Sequence, residues 1–462
     1  MRVTFLGHQG WLIESDEGRS FLLDPILEAI GNGKDRLPVW PRRRLDFSHM
    51  GSLDAAIISH EHADHFSLET LNALPRHCKI YISDLSSAAM LGAIKELGFR
   101  VERYNAVNPF TIDDIRVTAL PGLYNTLEPD VYALLMQDSS GASFLTCIDT
   151  VSHPDVFAWL EQHCPNRTLD NLTNNFIEPR QPLVDDPSAW EKSRTIVMGT
   201  TMEYVDKMKP SRIVISGQGW CFDSERDQYN HSFFSVDNHW LEEAAKALIP
   251  AIQWWRGEPG SRFTLNGKNM TVDSASIFSA LPAVDRTFDA SIVKVAEPFL
   301  PWTQETSISD IRLKEVQRFV TETLGAVIGG YAPKLMEGLY YLKFQDCGER
   351  PATMHLIVRN ETRKYVYEFD YGLVQFVDVT TTVKHEAVLG LEVWAADLEL
   401  IISAEEEAFL IYESAIRIWS HMPEFIAASA LIECFTWFTP RFRPVETLAF
   451  YRSQIAKLMH QE

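Results

Sequence analysis

No two cysteines in this chain are spaced as CxxC; Cys78, Cys147, Cys164, Cys221, Cys347 and Cys434 stand singly along 462 residues. Without paired spacing there is no disulfide framework and no cysteine-rich cluster motif, which implies a reduced, cytoplasmic protein. No apolar run approaches the roughly 20 residues of a membrane span. The opening "MRVTFLGHQGWLIES" alternates like a strand and lacks the basic and apolar regions of a signal peptide. Basic residues are also scarce: 42 Lys and Arg face 63 Asp and Glu, a formal charge of −21. That field repels polyanions, so the expected partner is a small-molecule substrate and not nucleic acid or a membrane.

Hydrophobic residues make up 46% and charged residues 23%, the profile of a folded chain. Its length implies about two or three domains. "RVTFLG", "WLIES" and "SFLLDP" form consecutive strands, and "DAAIIS" (54–59) a short buried one. Further strands are expected at "KIYIS", "IRVTALP", "VYALLMQ", "ASFLTCID" and "SRIVISG". Helical patterns fall at "SAAMLGAIKELG", "DVFAWLEQH" and "DNHWLEEAAKALI". Strands feeding helices after a run of hairpins predict an α/β sandwich over residues 1–285. The Gly- and charge-rich stretch 254–269 reads as the end of that domain's helices, with the boundary between about 257 and 300. Residues 286–462 read as a smaller α+β domain. They faintly resemble sterol-carrier domains through "LGLEVWAADLELII" and a helical tail. This part would bury its own core, hold an apolar ligand, cap the site or form a homodimer interface.

The residues that carry chemistry are "SHEHADHFS" (59–67). Only 14 histidines occur in the chain, yet His60, His62 and His65 fall within six positions, with Asp64 among them. In an extended turn, positions two apart point the same way, so His60 and His62 can converge on one ion. Ser67 can cap the helix that follows, which Pro75 stops.

The order His60-x-His62-x-Asp64-His65 between a buried strand and a capped helix resembles the metallo-β-lactamase superfamily, over roughly residues 1–255. The resemblance implies an αββα sandwich with a dinuclear site, His60 and His62 on one metal, Asp64 and His65 on the other. Asp149 in "FLTCIDT" matches the family's bridging aspartate. His8 and Asp24 match positions that orient metal histidines, since a ligating imidazole needs an acceptor for its other N–H. The chain departs from the hydrolase pattern in two places. No histidine lies between Cys78 and Asp149, where Glu128, Asp130 and more weakly Asn125 are the alternatives. The last histidine is replaced by Ser216 and Gln218 in "VISGQGW", with His231 the nearest substitute and His153 a further candidate; His239 is expected on a helix.

Carboxylate in place of imidazole shifts preference from zinc towards iron or manganese. The diiron oxygenase branch, exemplified by the chloramphenicol-pathway β-hydroxylase, has such a glutamate. A looser likeness, in "KPSRIVISGQGW", is to the lactamase-like part of CMP-sialic acid hydroxylases, whose Rieske Cys/His pairs are absent here. The favoured expectation is a diiron oxygenase that takes O2 as co-substrate, acts on a small biosynthetic intermediate and draws on an external electron donor. The alternatives are a metal-dependent hydrolase of a lactone, amide or phosphodiester, and a non-catalytic metal-binding module.

Overall fold

The computed structural model describes residues 1–122, 131–150, 152–173, 189–231, 234, 236–289, 299–331, 353–382, 387, 389–420 and 443–460. The chain divides into two compact units. The first comprises Met1–Glu178, Ser188–Ala290 and Tyr451–Glu462; the second comprises Pro179–Pro187 and Ser291–Phe450.

The first unit is built on two sheets. One has eight strands in the spatial order Asn269–Ser274, Ser261–Asn266, Arg2–Gly7, Gly10–Glu14, Ser20–Leu23, Leu53–Ile58, Lys79–Ser83 and Arg100–Tyr104. The other has seven: Phe110–Ile112, Ile115–Pro121, Tyr132–Gln137, Ser143–Thr146, Leu169–Thr173, Arg212–Ser216 and Gln253–Arg256. In each, hairpins come first and parallel crossovers follow. Alternate residues of both sheets meet in one apolar layer, with Val3, Phe5, Trp11, Ile57, Val117, Leu134, Phe144 and Val214 all buried. Helices cover the opposite face of the seven-stranded sheet. Val156 and Leu160 of Pro154–His163 pack on Leu135 and Leu145, and Leu241 and Ala245 of Asn238–Leu248 pack on Ile213 and Ile215. This is the αββα sandwich that the strand and helix pattern predicts.

Residues 254–269 follow the helix Asn238–Leu248 and are strands: Gln253–Arg256 joins one sheet and Ser261–Asn266 the other, where it pairs antiparallel with Arg2–Gly7. Most side chains of the outermost strand, Asn269–Ser274, are exposed, so it carries no hydrophobic alternation to betray it.

The second unit holds a five-stranded sheet, in the order Gln375–Asp378, Arg363–Asp370, Met354–Asn360, Leu389–Trp394 and Ile416–Ser420. Within it, Leu389–Trp394 runs into the helix Ala395–Ser403. The buried Asp397 carboxylate fastens the approach to that helix, accepting from Trp302 N (2.9 Å) and Thr303 N (3.0 Å).

Gly7 ends the first strand at φ +92°, and a Cβ there would come 2.8 Å from Arg43 Cζ. Gly7→Ala therefore combines an unfavourable backbone region with an overlap. It is expected to cost at least ~1–3 kcal/mol in urea denaturation; an unchanged midpoint would contradict this. Arg43 is itself unusual. It is buried, its Nε donates to the Leu6 carbonyl, and neither Nη has a partner among the described residues. Burial pushes its guanidinium down to about 9. Because a buried unpaired charge is costly, Arg43→Met should be neutral or stabilising by up to ~1–4 kcal/mol. A large loss of stability would show that the guanidinium has an anionic partner.

Candidate metal centre

The buried strand Leu53–Ile58 delivers Ser59 and His60 into the interior. The chain then turns, with His65 N and Phe66 N both donating to the His62 carbonyl (3.0 and 2.8 Å), and Ser67 Oγ caps the next helix by accepting from Thr70 N. His60 and His65 are fully buried, and His62 and Asp64 nearly so, at 7% and 6% exposure. Strand, tight turn and cap thus hold four donors inside the protein.

Three further residues arrive from strand ends: His8 after Arg2–Gly7, Asp24 after Ser20–Leu23 and Asp149 after Ser143–Thr146. Each has left-handed φ, at 53°, 41° and 44° respectively. Such backbone costs ~1–3 kcal/mol for a non-glycine residue and collects at functional sites, although Asp tolerates it better than most.

Asp24 organises the imidazoles. Its Oδ1 accepts from Ser59 N (2.7 Å), while Oδ2 accepts from Ser59 Oγ (2.6 Å) and lies 2.9 Å from His65 Nδ1. Because the Ser59 hydroxyl proton is committed to Asp24, the oxygen can only accept from His60 Nδ1, 2.9 Å away. Both His60 and His65 therefore carry hydrogen on Nδ1 and turn Nε2 towards the centre of the cluster. His60 Nε2 lies 3.0 Å from His62 Nδ1 and 3.7 Å from Asp149 Oδ2; His65 Nε2 lies 2.6 Å from Asp149 Oδ2 and 3.4 Å from Asp64 Oδ2. His8 Nε2 is 3.1 Å from the same Asp64 oxygen.

The electrostatics follow from the geometry. Burial and the neighbouring His65 and His62 hold His60 well below the usual histidine range, so it is neutral. Burial also penalises a charged His65, but Asp64, Asp149 and Asp24 outweigh it and raise its pKa. Burial works against Asp64 ionisation too; His65 and His8 reverse that, and the carboxylate stays ionised. Carboxylates converging on a cluster of imidazoles make a place for positive charge.

Three overlapping groups of side chains could each hold an ion: His8, Asp64 and His65; His60, His65 and Asp149; and His60, His62 and Asp64. Within each, the donor atoms all lie within 4.8 Å of one another. The structure thus brings together His60, His62, Asp64, His65, Asp149, His8 and Asp24. His231 is in none of these groups; it ends Ser224–His231, with Nδ1 3.0 Å from the Thr287 carbonyl. His153 caps Pro154–His163 through Asp155 N and is in none of the groups. His239 is on Asn238–Leu248, as expected, in an exposed cluster with Glu242 and Glu243. Gln218 donates through Nε2 to the Gly257 carbonyl (2.8 Å), and no partner meets its Oε1 among the described residues. Asn125, Glu128 and Asp130 lie outside the described residues. Gln9, which nothing in the sequence marks, reaches the cluster by donating from Nε2 to Asp149 Oδ1 at 2.9 Å.

The chain is similar to several known proteins over part of its length. The family model for the β-lactamase superfamily domain matches residues 2–138. A protein named as a metal-dependent hydrolase from Polynucleobacter asymbioticus is 23% identical over 245 residues, 46% of this chain and 82% of that protein. A Mycobacterium tuberculosis protein named for a Rieske 2Fe-2S iron–sulfur centre is 31% identical over 100 residues, which are 21% of this chain but only 19% of that protein's length. Among solved structures, the diiron β-hydroxylase CmlA from Streptomyces venezuelae aligns with 17% identity and a TM-score of 0.39, covering 57% of this chain and 54% of that one. Residues 2–138, which include the HxHxDH loop, thus match the β-lactamase superfamily domain, and the two-sheet sandwich fits that match.

Proposed function

We propose that the first unit is a dinuclear metalloenzyme whose ions are held by His60, His62, Asp64, His65 and Asp149, with Asp149 shared between them. The observation that carries this reading is the set of three overlapping buried His/Asp groups. The fit is chemical as well as geometric. Two imidazoles are fixed with their Nε2 atoms facing inward, and the buried Asp64 Oδ1 and His8 Nδ1 have no partner among the described residues. Orphaned buried acceptors of this kind are costly unless a cation satisfies them.

The finer reading is a non-haem diiron oxygenase acting on a small-molecule intermediate. Support comes from the donor set. No histidine occurs between Cys78 and Asp149, and His231 is in none of the donor groups, so among the described residues the extra imidazoles expected of a hydrolase-type zinc site are not found at those positions. Iron bound here would supply the electrons that reduce dioxygen. This chain's residues would hold the ions, keep their imidazoles in one tautomer and exclude bulk water. The described cysteines, Cys78, Cys147, Cys164 and Cys221, are free and buried, so a separate protein would deliver electrons. The hydrolase reading retains one specific support, the name of the 245-residue relative. In that case a water activated at the centre would attack the substrate.

Two outcomes test these readings. Asp149→Asn should lower occupancy of both ions together by elemental analysis, whereas loss of neither would remove Asp149 from the centre. Reductant-driven oxygen uptake that depends on iron and is absent with zinc supports the oxygenase; zinc at full occupancy in protein purified from iron-replete cells would favour the hydrolase.

A further inference from the structure

Gln9 stands in the two-residue connection between Arg2–Gly7 and Gly10–Glu14, which pair antiparallel with Gly7 opposite Gly10. The connection is held tightly. Gly7 has φ +92°, and a Cβ on Gly10 would come 2.9 Å from the Asp24 carbonyl oxygen. The Gln9 side chain consequently has little freedom, and it is 1% exposed. Its Nε2 donates to Asp149 Oδ1 at 2.9 Å across 140 positions of sequence, while Oε1 has no partner among the described residues. Burying an amide oxygen without a partner costs ~1–3 kcal/mol, which a leucine of similar size would avoid. A polar residue at this position therefore needs a reason, and the one directed bond it makes is to Asp149.

We propose that Gln9 is a positioning residue that restricts Asp149 to one metal-facing oxygen. The inference rests on the metal-centre reading above. With Oδ1 occupied by the amide, Oδ2 is left facing His65 Nε2 at 2.6 Å and His60 Nε2 at 3.7 Å. The amide is neutral, so it holds the carboxylate without adding charge that would compete for a cation. Only one amide orientation serves, because a flipped Gln9 would set Oε1 against the carboxylate.

The test uses the full-length protein stripped of metal and titrated with iron(II) or zinc alone against a competing chelator. Gln9→Leu should weaken metal binding ~10–100-fold, the usual effect of removing a group that orients a ligand. In an Asp149→Asn background the same substitution should add nothing, which a purely structural role would not produce. Should Gln9→Leu fail to fold, Gln9→His, which keeps an N–H donor, is compared with Gln9→Met and should bind metal more tightly. Affinity within about twofold of wild type, or an equal penalty in the Asp149→Asn background, would overturn the proposal. So would equal affinities for the His and Met variants. Wild-type protein that binds neither metal would defeat the metal-centre reading itself, whereas tight wild-type binding with an indifferent Gln9→Leu defeats this inference alone.

Discussion

Asp24→Ala is expected to strip most of the metal from the first unit and to lower its stability by about 3–5 kcal/mol, the range for removing one partner of a buried charged pair. Asp24 is completely buried, and its carboxylate serves Ser59 N, Ser59 Oγ and His65 Nδ1 at once. Alanine leaves those donors without an acceptor. The Ser59 hydroxyl is then free to donate to His60, which would move the imidazole proton to Nε2, the nitrogen that should face a cation. Asp24→Asn separates the two effects. It keeps the volume and an acceptor for one donor, so the fold should suffer less, but metal affinity should still fall ~10–100-fold. Urea denaturation and elemental analysis on the same samples check both parts. Full metal retention in either variant would show that Asp24 does not set the tautomers.

His60→Ala should be as damaging to metal binding and far less so to the rest of the chain. His60 belongs to two of the three donor groups and links them, with Nε2 3.0 Å from His62 Nδ1 and 3.7 Å from Asp149 Oδ2. Its loss should therefore empty both positions and not merely weaken one. Because the imidazole is neutral and fully buried, its removal leaves a small polar gap and strands no buried charge. A cost of ~2–3 kcal/mol is expected in the first unit, with the second unit's unfolding transition unmoved. One ion per chain surviving in His60→Ala would mean that the ions occupy separate sites that do not share this residue.

How much of this was legible in the sequence depends on how locally each residue is placed. His60, His62, Asp64 and His65 are held by one strand, one turn and one cap, all encoded within about two dozen residues, so motif and structure coincide. Asp24 and His8 were visible as loop-end residues, but their partners lie 35 to 56 positions away and depend on strand order. Gln9 was silent because a lone glutamine has no pattern. Only the pairing of two sheets brings it to a residue 140 positions on. His231 follows a strand that ends in the expected part of the chain, but its setting depends on the backbone between them, which runs into Ser224–His231 and brings its Nδ1 to the Thr287 carbonyl. The helix Ala189–Met208 escaped notice because Thr, Gly and charged residues interrupt its apolar positions.

The most direct test of the account is metal analysis of the purified protein alongside a His60→Ala/His62→Ala double variant. The account predicts about two ions per chain in the wild type, with iron preferred when both metals are supplied, and almost none in the double variant, with the second unit still folded. Metal retained in full by the double variant, or a wild type that cannot be loaded with iron, zinc or manganese, would contradict it.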